Sequence, residues 1–194
     1  MPHSAEMPSR GPGQSLDPSQ ADRTLHHPCR DDPQSCPVGE SEGTDILYRN
    51  NGNNTFTDVS HQAGILVEGY SLGSSISDIN ADGWPDIYIS NDFLTSDILY
   101  INNHDGTFTD QAKTYFKHTS LSAMGNDVAD INNDGLQDIV ALDMLPKDNE
   151  RKKQLAPPNS YQAYQNSDLY GYTYQYMRNT LQINPGKDAA GKPM

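Results

Sequence analysis

The sequence predicts an all-β chain: a partial β-propeller of about two blades plus the start of a third, behind a disordered N-terminal tail. Three observations predict it. A nine-residue signature occurs twice, as Asp-Ile-Asn-Ala-Asp-Gly-Trp-Pro-Asp at 78–86 and as Asp-Ile-Asn-Asn-Asp-Gly-Leu-Gln-Asp at 130–138, an offset of 52 residues. The same offset carries Leu47-Tyr48 to Leu99-Tyr100, Asn50-Asn51 to Asn102-Asn103, Thr55-Phe56-Thr57-Asp58 to Thr107-Phe108-Thr109-Asp110, and Gly73 to Gly125. The apolar runs between turn residues are too short for helices and suit strands. A constant period near 50 residues marks blades or arrays whose units bury their apolar faces only against one another.

Residues 1–43 read as the tail. They are rich in proline and poor in aliphatic side chains, so burial cannot offset the entropy of ordering them. Cys29 and Cys36 lie here beside His26 and His27. Their spacing is looser than that of paired zinc ligands, and a disulfide between them would close only a short loop. Residues 44–194 form the repeat region. Ile46, Leu47 and Tyr48 begin a strand, Asn50 to Asn54 turn the chain, and the β-branched and aromatic run from Thr55 to Val59 returns it. Ser74 to Ile79 lead into the first signature, and Ile87, Tyr88 and Ile89 leave it. In the second unit Asp105-Gly106 is a hairpin signal, and Ile139 to Leu142 form the strand after the second signature. The repeat breaks at 146–178 and resumes near Asn179-Thr180-Leu181-Gln182-Ile183-Asn184, so that Leu181 aligns with Leu99 once 30 extra residues are admitted. This insertion opens with Lys147, Asp148, Asn149, Glu150 and the triplet Arg151-Lys152-Lys153. It continues with Tyr161, Tyr164, Tyr170, Tyr172, Tyr174 and Tyr176. Those rings either pack the insertion onto its neighbouring blade or present rigid contact area to a ligand.

Each signature sets side-chain oxygens at positions one, three, five and nine, with glycine at six. That alternation converges oxygens from one short loop, as a hard cation held at about 2.3–2.6 Å requires. The expected ligands are Asp78, Asn80, Asp82 and Asp86 in the first loop and Asp130, Asn132, Asp134 and Asp138 in the second, with Ca²⁺ at both. An EF-hand would need a bidentate glutamate at position twelve and flanking helices; that position holds Ile89 and Ala141.

A formal net charge of −13 and the absence of a basic stripe disfavour nucleic acid, whose binding depends on neutralising phosphates. No run of about 18 apolar residues predicts a transmembrane segment, and the N-terminus shows no apolar signal-peptide core. No nucleophile–base constellation or phosphate-cradling glycine loop appears, so the chain is not expected to be an enzyme.

The two Asp-x-Asn-x-Asp-Gly-x-x-Asp loops, with Leu-Tyr-x-Asn-Asn and Thr-Phe-Thr-Asp hairpins between them, resemble FG-GAP/VCBS repeats, the blades of the integrin-α-type β-propeller. Asn91-Asp92-Phe93, Leu99-Tyr100-Ile101-Asn102-Asn103, Asp143-Met144-Leu145-Pro146 and Tyr174-Gln175-Tyr176-Met177-Arg178-Asn179 are similar to bacterial relatives of cartilage acidic protein. The resemblance covers roughly residues 44–186. It implies a seven-bladed calcium-binding propeller, exported or at the cell surface, that serves adhesion or ligand binding. It also implies a backbone carbonyl ligand at position seven, which is Trp84 in the first loop and Leu136 in the second. Asparagine at position three, where aspartate is common, lowers the ligand charge. The chain departs from the pattern in its few blades and missing signal peptide, which predicts a fragment of a longer protein. The expected function is a surface-binding or adhesion module with a protein or glycan ligand, completed by the remaining blades, in an extracellular, cell-surface or periplasmic setting. An accessory propeller of a secreted enzyme, holding glycan through the Tyr-rich insertion, and a fragment unable to fold alone are the other readings.

Overall fold

The β-branched and aromatic runs around each signature become strands because alternate side chains can then face two different neighbours. The structure, a computed structural model, describes residues 43–93, 95–154, 165 and 173–186. The predicted tail up to residue 42, with Cys29 and Cys36, lies outside the described residues, as do Tyr161, Tyr164, Tyr170 and Tyr172 of the insertion. In chain order, strands β1 (Tyr48–Asn50) and β2 (Phe56–Asp58) form an antiparallel hairpin, and the short helix α1 (Ser60–Ala63) follows. Strands β3 (Ser71–Ser77), β4 (Asp86–Asn91), β5 (Ile98–Asn102) and β6 (Phe108–Asp110) make a complete four-stranded antiparallel sheet in that order. After helix α2 (Ala112–Tyr115) and the two-residue strand β7 (Thr119–Ser120), strands β8 (Ala123–Ala129) and β9 (Asp138–Asp143) begin another sheet. Helix α3 (Asn149–Gln154) opens the insertion. Strand β10 (Gln175–Tyr176) closes it by pairing in parallel with β7, and β11 (Thr180–Gln182) joins β9 to give the order β11-β9-β8. The described chain is therefore the outer hairpin of one blade, all of a second and three strands of a third.

Ile89 faces Ile98 in the complete blade, and Ala141 faces Thr180 in the next, so the partner of the same position has moved by 82 residues rather than 52. The phase of the repeat is a finding that the period leaves open. Each signature joins the two inner strands of a blade and shares its sheet with the hairpin that follows it. The hairpin before it belongs to the preceding blade. The crossings between blades carry α1 and α2, single turns that an all-strand reading does not anticipate. Each buries one small residue, Ala63 and Ala112.

The core lies between blades. Ile79, Tyr88, Leu99, Ala112, Phe116 and Ile139 form one cluster, and Ala63, Ile65, Ile89, Ile98 and Tyr100 form another. Adjacent residues of β4 and β5 serve opposite clusters, because successive strand side chains point to opposite faces. At the inner edge the neighbouring sheets approach closely. A Cβ on Gly73 would stand 2.9 Å from Ser90 Oγ and 3.1 Å from the Gly125 Cα, so glycine at 73 lets β3 approach β8 closely. A polar seam fixes the approach: Ser75 Oγ donates to Asn126 Oδ1 at 2.6 Å, and Asn126 Nδ2 donates to Ser90 Oγ at 2.8 Å.

Equivalent positions differ sharply in burial. Ile98 and Tyr100 are each 1 % exposed, whereas Ile46 and Tyr48 are 59 % and 57 % exposed; Leu99 is 0 % exposed and Leu181 54 %. Leu99→Ala is expected to cost about 2–5 kcal/mol, and Leu181→Ala less than about 1 kcal/mol. Urea or thermal unfolding of the two variants measures the contrast, and equal losses would contradict a core placed between successive blades.

Candidate metal centre

The two signatures fold into the same hydrogen-bonded turn. Glycine at position six adopts φ 89° at Gly83 and 86° at Gly135, and the residue at position four is also left-handed, with φ 55° at Ala81 and 61° at Asn133. This curl aims backbone amides at the side-chain oxygens. In the first loop Asp78 Oδ1 accepts from the Asp82 amide (2.9 Å) and Asp78 Oδ2 from the Gly83 amide (2.8 Å). Asn80 Oδ1 also accepts from the Asp82 amide (3.0 Å), and Asp82 Oδ1 accepts from the Trp84 amide (2.9 Å). The second loop repeats each bond: Asp130 with the amides of Asp134 (3.0 Å) and Gly135 (2.8 Å), Asn132 with Asp134 (3.0 Å), Asp134 with Leu136 (2.9 Å). The asparagine at position three donates to the aspartate at position five in both, at 2.6 Å and 2.8 Å. Strands flank both loops, which excludes the helix–loop–helix alternative.

The ninth residue behaves differently from its partners. Asp86 and Asp138 are each 0 % exposed. Asp86 Oδ2 accepts from the amides of Ile79 (3.0 Å) and Asn80 (3.3 Å), and its Oδ1 accepts from the Asn102 amide (2.9 Å). Asp138 likewise accepts from Ile131 (3.1 Å) and from Asn184 (2.8 Å). Asn102 ends β5 and Asn184 follows β11, so each ninth carboxylate ties its loop to the next strand of its sheet. Burial raises the Asp86 carboxyl above its ordinary value. Bonds from Asn102, Ile79 and Asn80 oppose the rise, and the nearby Asp82 charge adds to it. In Asp82 burial also acts upward, but bonds from His104, the Trp84 amide and Asn80 hold the carboxyl below its ordinary value.

Among the described residues no three His, Cys, Asp or Glu side chains gather into a cluster that would hold an ion by themselves. Positions one, three and five line the turn, while position nine sits beneath it, engaged with amides. The donor chemistry still fits a hard cation. The donors are all oxygens, and a carboxylate offers about four acceptor sites, of which these amide bonds use only some. Asp78, Asn80 and Asp82, or Asp130, Asn132 and Asp134, would hold the ion. Asp86 and Asp138 would set the floor, and the Trp84 and Leu136 carbonyls belong to the same turns. A cavity of about 170 Å³ lies between the loops, lined by Ile79, Asn80 and Ala81 of the first and Leu136 of the second, with Tyr115, Asn184 and Gly186. Asn184 Nδ2 donates to the Ile79 carbonyl at 2.8 Å and so links the two blades there.

A second polar centre sits at the opposite ends of β4 and β9, and the sequence reading passed over it. Asp97 is 1 % exposed; its Oδ2 accepts from the Tyr88 hydroxyl (2.7 Å) and its Oδ1 from the Asn91 amide (3.0 Å). Asn179 takes the equivalent place in the next blade and accepts from the Asp143 amide at 2.8 Å. Asp143 Oδ2 in turn accepts from Ser120 Oγ (2.6 Å) and from the amides of Leu121, Ser122 and Arg178. The signal that could have found it is the recurrence of Asp45-Ile46-Leu47-Tyr48 as Asp97-Ile98-Leu99-Tyr100, a charged residue repeated beside a core strand.

A family model of the FG-GAP-like repeat matches the chain twice, at residues 38–89 and 78–141. The matches overlap on the first loop and the beginning of β4. Together they cover more than half of the chain. No curated protein matches it.

Burial raises Asp97 from an ordinary 3.8 to about 6. Bonds from Tyr88, Asn91 and Ser120 work against burial, and the Asp143 charge works with it. A carboxyl whose folded value is raised binds more protons folded than unfolded, so the contribution of Asp97 to stability is greatest below pH about 4 and is lost as pH climbs to about 6. The difference between 3.8 and about 6 corresponds to a loss on the order of 3 kcal/mol. Asp97→Asn is expected to remove that slope, since Asn179 shows that an amide is accommodated at this place. Unfolding free energies of both proteins at pH 4 and pH 7 test it. An unchanged difference between variant and parent across that window would refute the assignment.

Proposed function

The chain belongs to the FG-GAP-like repeat family, and from that premise we propose that it is a calcium-stabilised part of a longer β-propeller that binds partners outside the cell and performs no catalysis. The observation that carries the calcium reading is the pair of loops with one hydrogen-bond pattern, each presenting two carboxylates and an amide oxygen on a turn anchored by a buried aspartate. Bound calcium would neutralise those carboxylates and hold the loop closed. The ninth aspartate would pass that rigidity to the next strand of its sheet. Modest-affinity loops of this kind suit the millimolar calcium found outside cells, which supports an extracellular, cell-surface or periplasmic setting. Among the described residues no helix is long and apolar enough to cross a membrane.

The uncovered positions support further blades. Ile46, Tyr48 and Leu181 repeat residues that are buried in the complete blade. A cavity of about 440 Å³ opens beside the first hairpin and is lined by Ile46, Leu47, Ile65, Leu72, Ile76 and Ile87. Blades of the same repeat would cover these surfaces as the complete blade is covered by its neighbours. The motifs ending in Asp143-Met144-Leu145-Pro146 and Met177-Arg178-Asn179 support a place near the bacterial relatives of cartilage acidic protein. The Tyr176 ring already carries the Arg178 guanidinium 5.2 Å from its centroid and has His118 at its edge, which leaves less of that one ring to stack on a sugar and supports a protein partner there.

Calorimetric titration with Ca²⁺ is expected to show two sites and a rise in melting temperature. Asp82→Ala and Asp134→Ala should each abolish one site, or weaken it at least about tenfold, and shrink the calcium-dependent rise. Unaltered binding in both variants would remove the calcium reading.

A further inference from the structure

The side chains at positions one, three and five make matching bonds in the two loops except at one point. Asp82 Oδ2 accepts from a third donor, His104 Nε2 at 2.9 Å, whereas the bonds recorded for Asp134 come only from Asn132 and the Leu136 amide. His104 lies on the β5–β6 turn, and its position recurs in every blade. Its amide donates to Asn102 Oδ1 (2.9 Å), as the Gly52 amide donates to Asn50 Oδ1 (2.8 Å) and the Gly186 amide to Asn184 Oδ1 (3.0 Å). All three residues are left-handed, with φ 81° at Gly52, 67° at His104 and 84° at Gly186. The position thus favours glycine, and two of three copies have it. The third carries a side chain in a conformation that side chains disfavour, a form of strain that collects at functional places. That side chain is also held: the imidazole stacks on Trp84, with centroids 5.2 Å apart and planes at 19°. Trp84 is the seventh residue of the first loop, where the second loop has Leu136, and the chain contains no other tryptophan.

We propose that His104 is a positioning residue for the loop at 78–86: stacked on Trp84, it holds the Asp82 carboxylate in one orientation and makes this loop the tighter calcium site of the two. The inference rests on the calcium reading above. A carboxylate already confined by Asn80, the Trp84 amide and His104 loses less freedom when it takes up an ion than one held by two donors. Outer-shell donors of this sort typically change metal affinity by roughly 10–100-fold. The partial exposure of His104 and Asp82, at 46 % and 19 %, puts the expected effect near the lower end.

Trp84 supplies the readout. Terbium(III), a luminescent stand-in for calcium, is sensitised by a nearby indole, so emission excited through tryptophan reports the first loop, while calorimetry counts both. In the parent protein, terbium emission titrated with competing Ca²⁺ should show the first loop to be the tighter calorimetric site. His104→Phe keeps an aromatic ring against Trp84 and removes the donor; first-loop affinity should fall about tenfold, with the second site unchanged. His104→Gln restores a donor and should recover most of the loss. Unchanged melting temperatures without metal establish that the variants fold. First-loop affinity that stays the same in His104→Phe, or falls equally in both variants, overturns the role of His104 and leaves the calcium reading standing. Absence of terbium emission and of calorimetric heat in the parent protein overturns both.

Discussion

A buried carboxylate at the ninth position of each acidic loop is the constraint on which the described structure depends. Asp86 and Asp138 are removed from water and satisfied by amides on both sides, two from their own loop in the case of Asp86 and one at or just past the end of the next strand of the same sheet. A buried charge left without such partners is costly, so the loop, the inner strand pair and the outer hairpin have to assemble together. The carboxylates at positions one and five, nearer the surface, inherit their orientation from this anchor. The site is therefore a property of the whole blade and not of the nine residues alone.

Packing between blades is the complementary constraint. A two-faced strand such as β4 sends Tyr88 to one neighbour and Ile89 to the other, so no blade is finished by itself. The complete blade shows the finished condition, with Leu99 sealed. The blades beside it show the same residue types half-exposed where a neighbour would lie. At the inner edge, glycine at 73 and the Ser75–Asn126–Ser90 seam bring the sheets into a contact that a Cβ at 73 would crowd. The buried Asp97–Tyr88 pair and the Asp143 cradle do the corresponding work at the opposite end, with hydrogen bonds in place of apolar contact.

The two loops also illustrate how a repeat diverges without losing its frame. The backbone turn, the amide bonds and the buried aspartate are kept, while the outer turn that overhangs the loop carries Gly186 in one blade and His104 in the other. One side chain added at a position built for glycine changes the surroundings of Asp82. Function can vary at such a place because the cost is confined to a surface turn.

The sequence by itself determined the strand content, the 52-residue period and the identity of the residues in the acidic loops, because alternation, turn chemistry and residue spacing are all local. Only the tertiary structure decided the phase, since which strands share a sheet depends on hydrogen bonds across the blade that periodicity does not order. It also decided that the ninth aspartate lies under the loop beside Asn102 or Asn184, that Asp97 is buried against Tyr88, and that His104 reaches Asp82 across 22 residues of chain. Each of these is a contact between segments distant in sequence, and no local pattern encodes which distant group will meet a given carboxylate.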